Sequence, residues 1–303
     1  MEQAVTTQPG FRIGGVSLEV FGCPDLEAGS RPALEAFRYK SQNPDIAMTV
    51  EWLPSLPSLP GVELFDSGCT WRLYDDGRGF RFDFYAAALK GLPHKRLFVD
   101  QSFSEARLQL SEEVRSRMPY LLSPLGYPLD ELLIMHRLTQ ERAIELHGVG
   151  IVGPNGASNL FVGHSGAGKS TTARLWTSLH QVQVLSDDRI IVREHEADGE
   201  GGRSQIFMYG TPWHGEAQFA LPQRAPVQRI FVLEHGRGNV LARLTPSQAV
   251  AELFARAFVP FHRHEYVESA LTFLERVAES VPCYRYSFEP DARAVEKIIQ
   301  FNE

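Results

Sequence analysis

The run Leu160-Phe161-Val162-Gly163-His164-Ser165-Gly166-Ala167-Gly168-Lys169-Ser170-Thr171-Thr172 constrains this chain more than any other stretch. Three apolar residues lead into glycines at 163, 166 and 168, followed by Lys169, Ser170 and a helix-compatible segment. The spacing fits G-x-x-x-x-G-K-(S/T), a loop between strand and helix whose backbone N–H groups converge on phosphate oxygens. Glycine keeps Cβ atoms out of the anion's way, and the helix turns the positive end of its dipole toward it. Gly163, His164, Ser165, Gly166, Ala167, Gly168, Lys169, Ser170 and Thr171 therefore form the candidate nucleotide cradle. Within it Lys169 is placed to reach the outer phosphates and the Ser170 hydroxyl to hold Mg²⁺, whereas His164 and Ser165 fill variable positions.

A chain of 303 residues makes one large domain or two ordinary ones and can bury roughly three quarters of its unfolded surface. Its three cysteines, Cys23, Cys69 and Cys283, are odd in number and far apart. They point to thiols in a reducing compartment, hence a cytoplasmic location. No apolar run is long enough to span a membrane, and Met1-Glu2-Gln3 does not open an export signal. A net charge of −7 without a basic block argues against nucleic acid. A protein, peptide or small molecule is the expected partner, and self-association into a homo-oligomer stays open.

Residues 11–110 read as mainly short strands, at 16–21, 46–53, 62–65, 70–74 and 79–84, with Asp75-Asp76-Gly77 as a hairpin turn and Pro54, Pro57 and Pro60 marking loops. Helical patterns at 111–118 and 128–141 should join this part to the nucleotide core. A strand at 143–149 turns at Pro154-Asn155-Gly156, so an antiparallel hairpin feeds the phosphate loop. Beyond the helix at 169–178, strands are expected at 182–185, 189–193 and 205–209, with 194–202 as a solvated hairpin tip. A second glycine-bearing loop follows, Gly210-Thr211-Pro212-Trp213-His214-Gly215-Glu216, whose glycine ends suggest that Trp213 and His214 face a substrate. Further strands fall at 229–233, 240–243 and 283–288, and helices start at Thr245-Pro246 and cover 266–279 and 291–301. His262-Arg263-His264 reads as a polar helix start rather than a metal site.

A phosphate loop names no reaction, so the second acidic element decides. Transport and motor ATPases end an apolar strand in Asp-Glu, and the transport type adds L-S-G-G-Q; this chain has neither. It has Asp187-Asp188, 18 and 19 residues after Lys169, at a strand end. Two such carboxylates can divide the labour, Asp187 holding the metal and Asp188 accepting the proton of an attacking hydroxyl. In a strand they would point to opposite faces, but a turn at its end can bring both near the phosphates.

Taken in order, His147-Gly148, the loop, and Asp187-Asp188 leading into Arg189-Ile190-Ile191 resemble the bacterial HPr kinase/phosphorylase family, which shares a core with ATP-dependent phosphoenolpyruvate carboxykinases. The resemblance covers about residues 128–233. It implies an α/β fold with a mixed-sheet P-loop core of that type at 123–303; the mainly β part at 1–122, read from its strand pattern, lies outside the resemblance. It further implies ATP and Mg²⁺, with Lys169, Asp188 and His147 as catalytic residues and a seryl hydroxyl of a protein or peptide as acceptor. Two positions depart from the pattern. Thr171 stands where the family has Glu, and the family's metal-binding Glu before a glycine falls on Tyr209-Gly210. Glu216 then either joins Ser170 and Asp187 at the metal or caps a turn. A small-metabolite kinase and a nucleotide-gated binding protein with little turnover are the alternatives.

Overall fold

The computed structural model describes residues 9–23, 32–89, 91–154, 156–195 and 204–301. It divides into two compact units, residues 1–12 with 16–140, and residues 13–15 with 141–303.

The first unit contains β1 (Gly10–Ile13), β2 (Val16–Phe21), α1 (Pro32–Glu35), β3 (Ile46–Leu53), β4 (Val62–Asp66), β5 (Trp71–Asp75), β6 (Gly79–Tyr85), β7 (Pro93–Asp100), β8 (Glu105–Ser111), α2 (Glu112–Arg115) and α3 (Leu129–Leu138). Its strands form one mixed sheet in the order β1-β2-β3-β8-β7-β6-β5-β4. The pairs β2/β3 and β3/β8 run parallel, and β8 through β4 run antiparallel. Strands β7 and β8 escape the sequence pattern because charges interrupt their apolar alternation. His94, Lys95 and Arg96 on β7 are all buried. Burial is tolerated because partners exist: Asp83 accepts from Arg96 at 2.5 Å and lies 3.4 Å from Arg81, while the two guanidiniums donate to the carbonyls of Pro57, Leu59 and Pro60. The proline-rich loop is pinned by these bonds.

Residues 123–140, expected with the nucleotide core, belong to the first unit. Helix α3 buries Leu129, Leu133 and His136, and the His136 ring meets Phe82 and Phe103 at centroid distances of 5.3 and 4.7 Å. That packing moves the boundary from 122 to 140.

The second unit contains β9 (Ala143–Val152), β10 (Ser158–Val162), α4 (Lys169–Thr177), β11 (Gln183–Ser186), β12 (Arg189–His195), β13 (Gln205–Tyr209), β14 (Arg224–Pro226), β15 (Arg229–His235), β16 (Val240–Arg243), α5 (Pro246–Phe254), β17 (Ala257–Phe258), α6 (His264–Ser280), β18 (Cys283–Phe288) and α7 (Ala292–Ile299). The sheet order is β14-β13-β12-β9-β10-β15-β18-β16, with β11 and β17 also paired to β9. Neighbours β10/β15 and β15/β18 are parallel, and the expected β9/β10 hairpin is antiparallel. All of β10 is buried because helices cover both faces. Leu160 and Val162 pack with Leu253 of α5 and Phe273, Leu274 and Val277 of α6. On the other face Phe161 packs with Ala173 and Trp176 of α4 and Val295 and Ile298 of α7. This three-layer arrangement is the α/β architecture that the motif called for.

Local signals hold where they were strongest. Thr245 caps α5 in a full capping box with Gln248, and His264 opens α6 and pairs with Glu268 at 3.0 Å. The tip expected at 194–202 lies outside the described residues from 196 onward. Glu194 itself is not solvated, since it bridges Arg142 at 3.3 Å and Arg276 at 2.8 Å. No disulfide forms among the described residues, and no described helix is long and apolar enough to cross a membrane.

Candidate functional site

Two residues of β9 knit the site together through their backbone. The His147 carbonyl accepts from the Gly163 amide at 3.3 Å, and the His147 amide donates to Arg256 O at 2.8 Å. The next amide, Gly148, donates to Asp188 O at 3.0 Å. The glycine loop, the acidic turn between β11 and β12, and the segment before β17 are thus fastened to one short piece of strand. In the register of β9 and β12, Arg189 lies opposite His147, so both side chains share a face.

The loop leaves the buried end of β10 and turns through Gly166 and Gly168, whose φ values of +81° and +99° favour glycine. A Cβ at Gly168 would lie 2.6 Å from the Phe288 ring, so the ring supports the loop from below. His235 stacks on Phe288 and its Nε2–H donates to Gly166 O at 2.6 Å. Lys169 opens α4, and its ammonium donates to the carbonyls of Gly163 at 3.0 Å and His164 at 2.9 Å. Burial drives the Lys169 pKa down to about 8; Asp188 opposes the fall, and the charges of Arg189 and Arg256 add to it. Ser170 and Thr171 are half-buried in the first turn, and among the described residues the Ser170 hydroxyl makes no hydrogen bond.

Asp188 is the hub. Its Oδ1 accepts from His147 Nε2–H at 2.9 Å, and its Oδ2 from Arg189 at 2.6 Å. Burial pushes this carboxyl upward, but the His147 hydrogen bond and the charges of Arg189, His147 and Lys169 outweigh it and hold the pKa below the ordinary carboxylate value. Arg189 is itself fixed by buried Glu145 at 3.3 Å and by the Phe258 ring at 4.0 Å.

Asp187 does not join it. The chain turns between the two aspartates, and the buried Asp187 carboxylate accepts three backbone amides instead: Gly215 at 3.1 Å, Ala217 at 2.8 Å and Phe219 at 3.1 Å. Three of the roughly four lone-pair sites of this carboxylate thus serve N–H donors and anchor the loop, which leaves one on Oδ2 for the metal role expected of Asp187. Glu216 is exposed and makes no hydrogen bond or ion pair among the described residues. Trp213, expected to face a substrate, is buried, whereas His214 is exposed. Among the described residues no three His, Cys, Asp or Glu side chains cluster as a metal cage.

His147, which only the resemblance singled out, meets Asp188 at 2.9 Å, and Lys169 lies near enough for the Asp188 charge to act on it. Sequence reasoning missed Arg189 as a partner of Asp188, and missed Arg256, His235 and Phe288 altogether. Arg189 had a signal, since it directly follows the acidic pair. The other three come from distant strand ends and carried none.

No family model matches this chain, and no curated protein matches it. Among solved structures it is similar to the Hpr(Ser) kinase/phosphatase from Coxiella burnetii, at 11% identity and a TM-score of 0.28, the match covering 52% of this chain and 93% of that one. At that TM-score the two backbones superpose too loosely to carry function from one to the other.

Proposed function

We propose that the second unit is a P-loop domain of the HPr kinase type, which binds ATP with Mg²⁺ and transfers the terminal phosphoryl group to a hydroxyl, a serine of a protein or peptide. The observation that carries this reading is the Asp188 carboxylate held between His147 and Arg189, with Lys169 close enough that the two charges act on each other. Backbone amides of residues 163–169 and the Lys169 ammonium suit the phosphates of the nucleotide. Arg189, paired with Asp188 and Glu145, and Arg256, paired with Glu252 at 2.6 Å, act on Lys169 through their charge.

In the proposed step the acceptor oxygen forms a bond to the terminal phosphorus while the bond from that phosphorus to the bridging oxygen breaks. ADP leaves with that electron pair, and the hydroxyl proton passes to Asp188. A carboxylate held below its ordinary pKa is ionised at neutral pH and is a modest base. It suits a proton released late, when the forming bond has already made the hydroxyl acidic. His147 keeps Asp188 oriented. Mg²⁺ takes few protein ligands beside phosphate oxygens, and the unengaged Ser170 hydroxyl fits one of them. Bound there, the ion would neutralise charge on the outer phosphates.

The commitment of Asp187 to loop amides favours one second reading, a protein that binds nucleotide with little turnover. Thermal melting with Mg²⁺-ATP, run beside transfer from labelled ATP to serine peptides, separates the two. Ligand at one hundred times its dissociation constant should stabilise wild type by about 2.7 kcal/mol, and Lys169→Ala should lose most of that shift. A wild-type melting point indifferent to ATP refutes both readings. Protection without transfer leaves the second.

A further inference from the structure

The loop that follows β13 is built as a rigid ledge. The Thr211 hydroxyl donates to Arg189 O at 2.8 Å, the Leu221 amide donates to Leu185 O at 2.8 Å, and Asp187 holds the amides of residues 215, 217 and 219 between them. Those three residues are half-buried and alternate with exposed ones, His214, Glu216 and Gln218. The ledge also touches the proposed base, since a Cβ at Gly215 would lie 3.2 Å from the Asp188 Cβ and 2.9 Å from Asp187 Oδ2. Only glycine lets the backbone come that close. His214 and Glu216 flank this contact, and Glu216 has no partner among the described residues.

We propose that loop 213–219, positioned by Asp187, is the acceptor-recognising edge of the site, and that Glu216 on it selects peptides with Lys or Arg beside the reacting hydroxyl. The proposal rests on the kinase reading above and names its substrate class. An acceptor whose oxygen reaches Asp188 sets its neighbouring residue on this edge, where an unpaired carboxylate favours a cation and repels an acid.

The test uses the full chain, labelled ATP with Mg²⁺, and two serine peptide pools that differ only in the residue beside the serine, Lys or Arg in one and Asp or Glu in the other. Wild type should use the basic pool with kcat/KM roughly three- to fivefold higher at low salt, a bias carried by KM and weakened by salt, as an exposed pair should be. Glu216→Gln should erase the bias and leave the Mg²⁺ requirement in place, and Glu216→Lys should reverse it. Equal use of both pools by wild type, or an unchanged bias in Glu216→Gln, overturns the proposal while the kinase reading stands. A raised Mg²⁺ requirement in Glu216→Gln with the bias intact also overturns it and makes Glu216 a metal ligand. Failure of wild type to label either pool removes the kinase reading and this proposal together.

Discussion

Asp187 should behave as the anchor of a loop, and its replacement should have a cost that can be worked from the hydrogen bonds. Its Oδ1 accepts from Gly215 and Phe219 and its Oδ2 from Ala217. Hydrogen bonds to a charged group contribute about 1.5–3 kcal/mol each. The three donors are half-buried, so water recovers part of what Asp187→Ala removes, and a total loss of about 3–5 kcal/mol is expected. Asp187→Asn is gentler: an amide oxygen in the Oδ1 place still accepts from the Gly215 and Phe219 amides, while its NH2 confronts the Ala217 N–H, for a loss of about 1.5–3 kcal/mol. Amide hydrogen exchange is the decisive assay, because opening should concentrate at 215, 217 and 219 before the sheet responds. Urea unfolding supplies the total. Unchanged protection of those amides in Asp187→Ala would refute the anchoring role, and an altered Mg²⁺ requirement with the loop intact would assign Asp187 the metal role.

Three further outcomes follow from the same geometry. Asp188→Asn keeps shape but removes basicity, so calorimetric ATP affinity should change little while single-turnover transfer falls about a hundredfold or more; undiminished transfer would remove Asp188 as the base. Because the Asp188 pKa is depressed, the carboxylate's contribution to stability and transfer is present above the ordinary carboxylate value and is lost as pH falls through the lowered one. His147→Ala leaves burial less opposed, so the acid limb of the pH–rate profile should move to higher pH, and an unmoved limb counts against the His147–Asp188 bond. For Lys169 the sign is opposite: nucleotide phosphates favour the charged form, so ATP affinity measured from pH 7 upward should weaken once pH passes about 8. Over the same range the free chain should gain stability, since the unfolded lysine still binds its proton there.

The phosphate loop was legible because its chemistry is local: Gly163, Gly166, Gly168 and Lys169 are close in the chain, and the turn they make depends on their own backbone freedom. The hairpin from β9 to β10, the Thr245 cap and the strand–loop–helix order were readable for the same reason. The pair Asp187-Asp188 was visible as two carboxylates that divide the labour, but the partners of each were not. Which oxygen meets a loop amide and which meets His147 depends on where residues 215–219 return, 28 or more positions later. Arg256 reaches the site only because the segment before β17 pairs with β9, and Phe288 only because β18 lies beside β15. Strand β7 hid behind His94, Lys95 and Arg96, whose burial makes sense only once Asp83 stands opposite Arg96. The sequence by itself determined the residues that bend the backbone and the periods that cover a helix or sheet face, because neighbouring dihedrals and nearby side chains set those. The tertiary structure decided the partners of each charge, because a buried carboxylate or guanidinium is satisfied by whichever distant strand end the register brings within hydrogen-bonding reach.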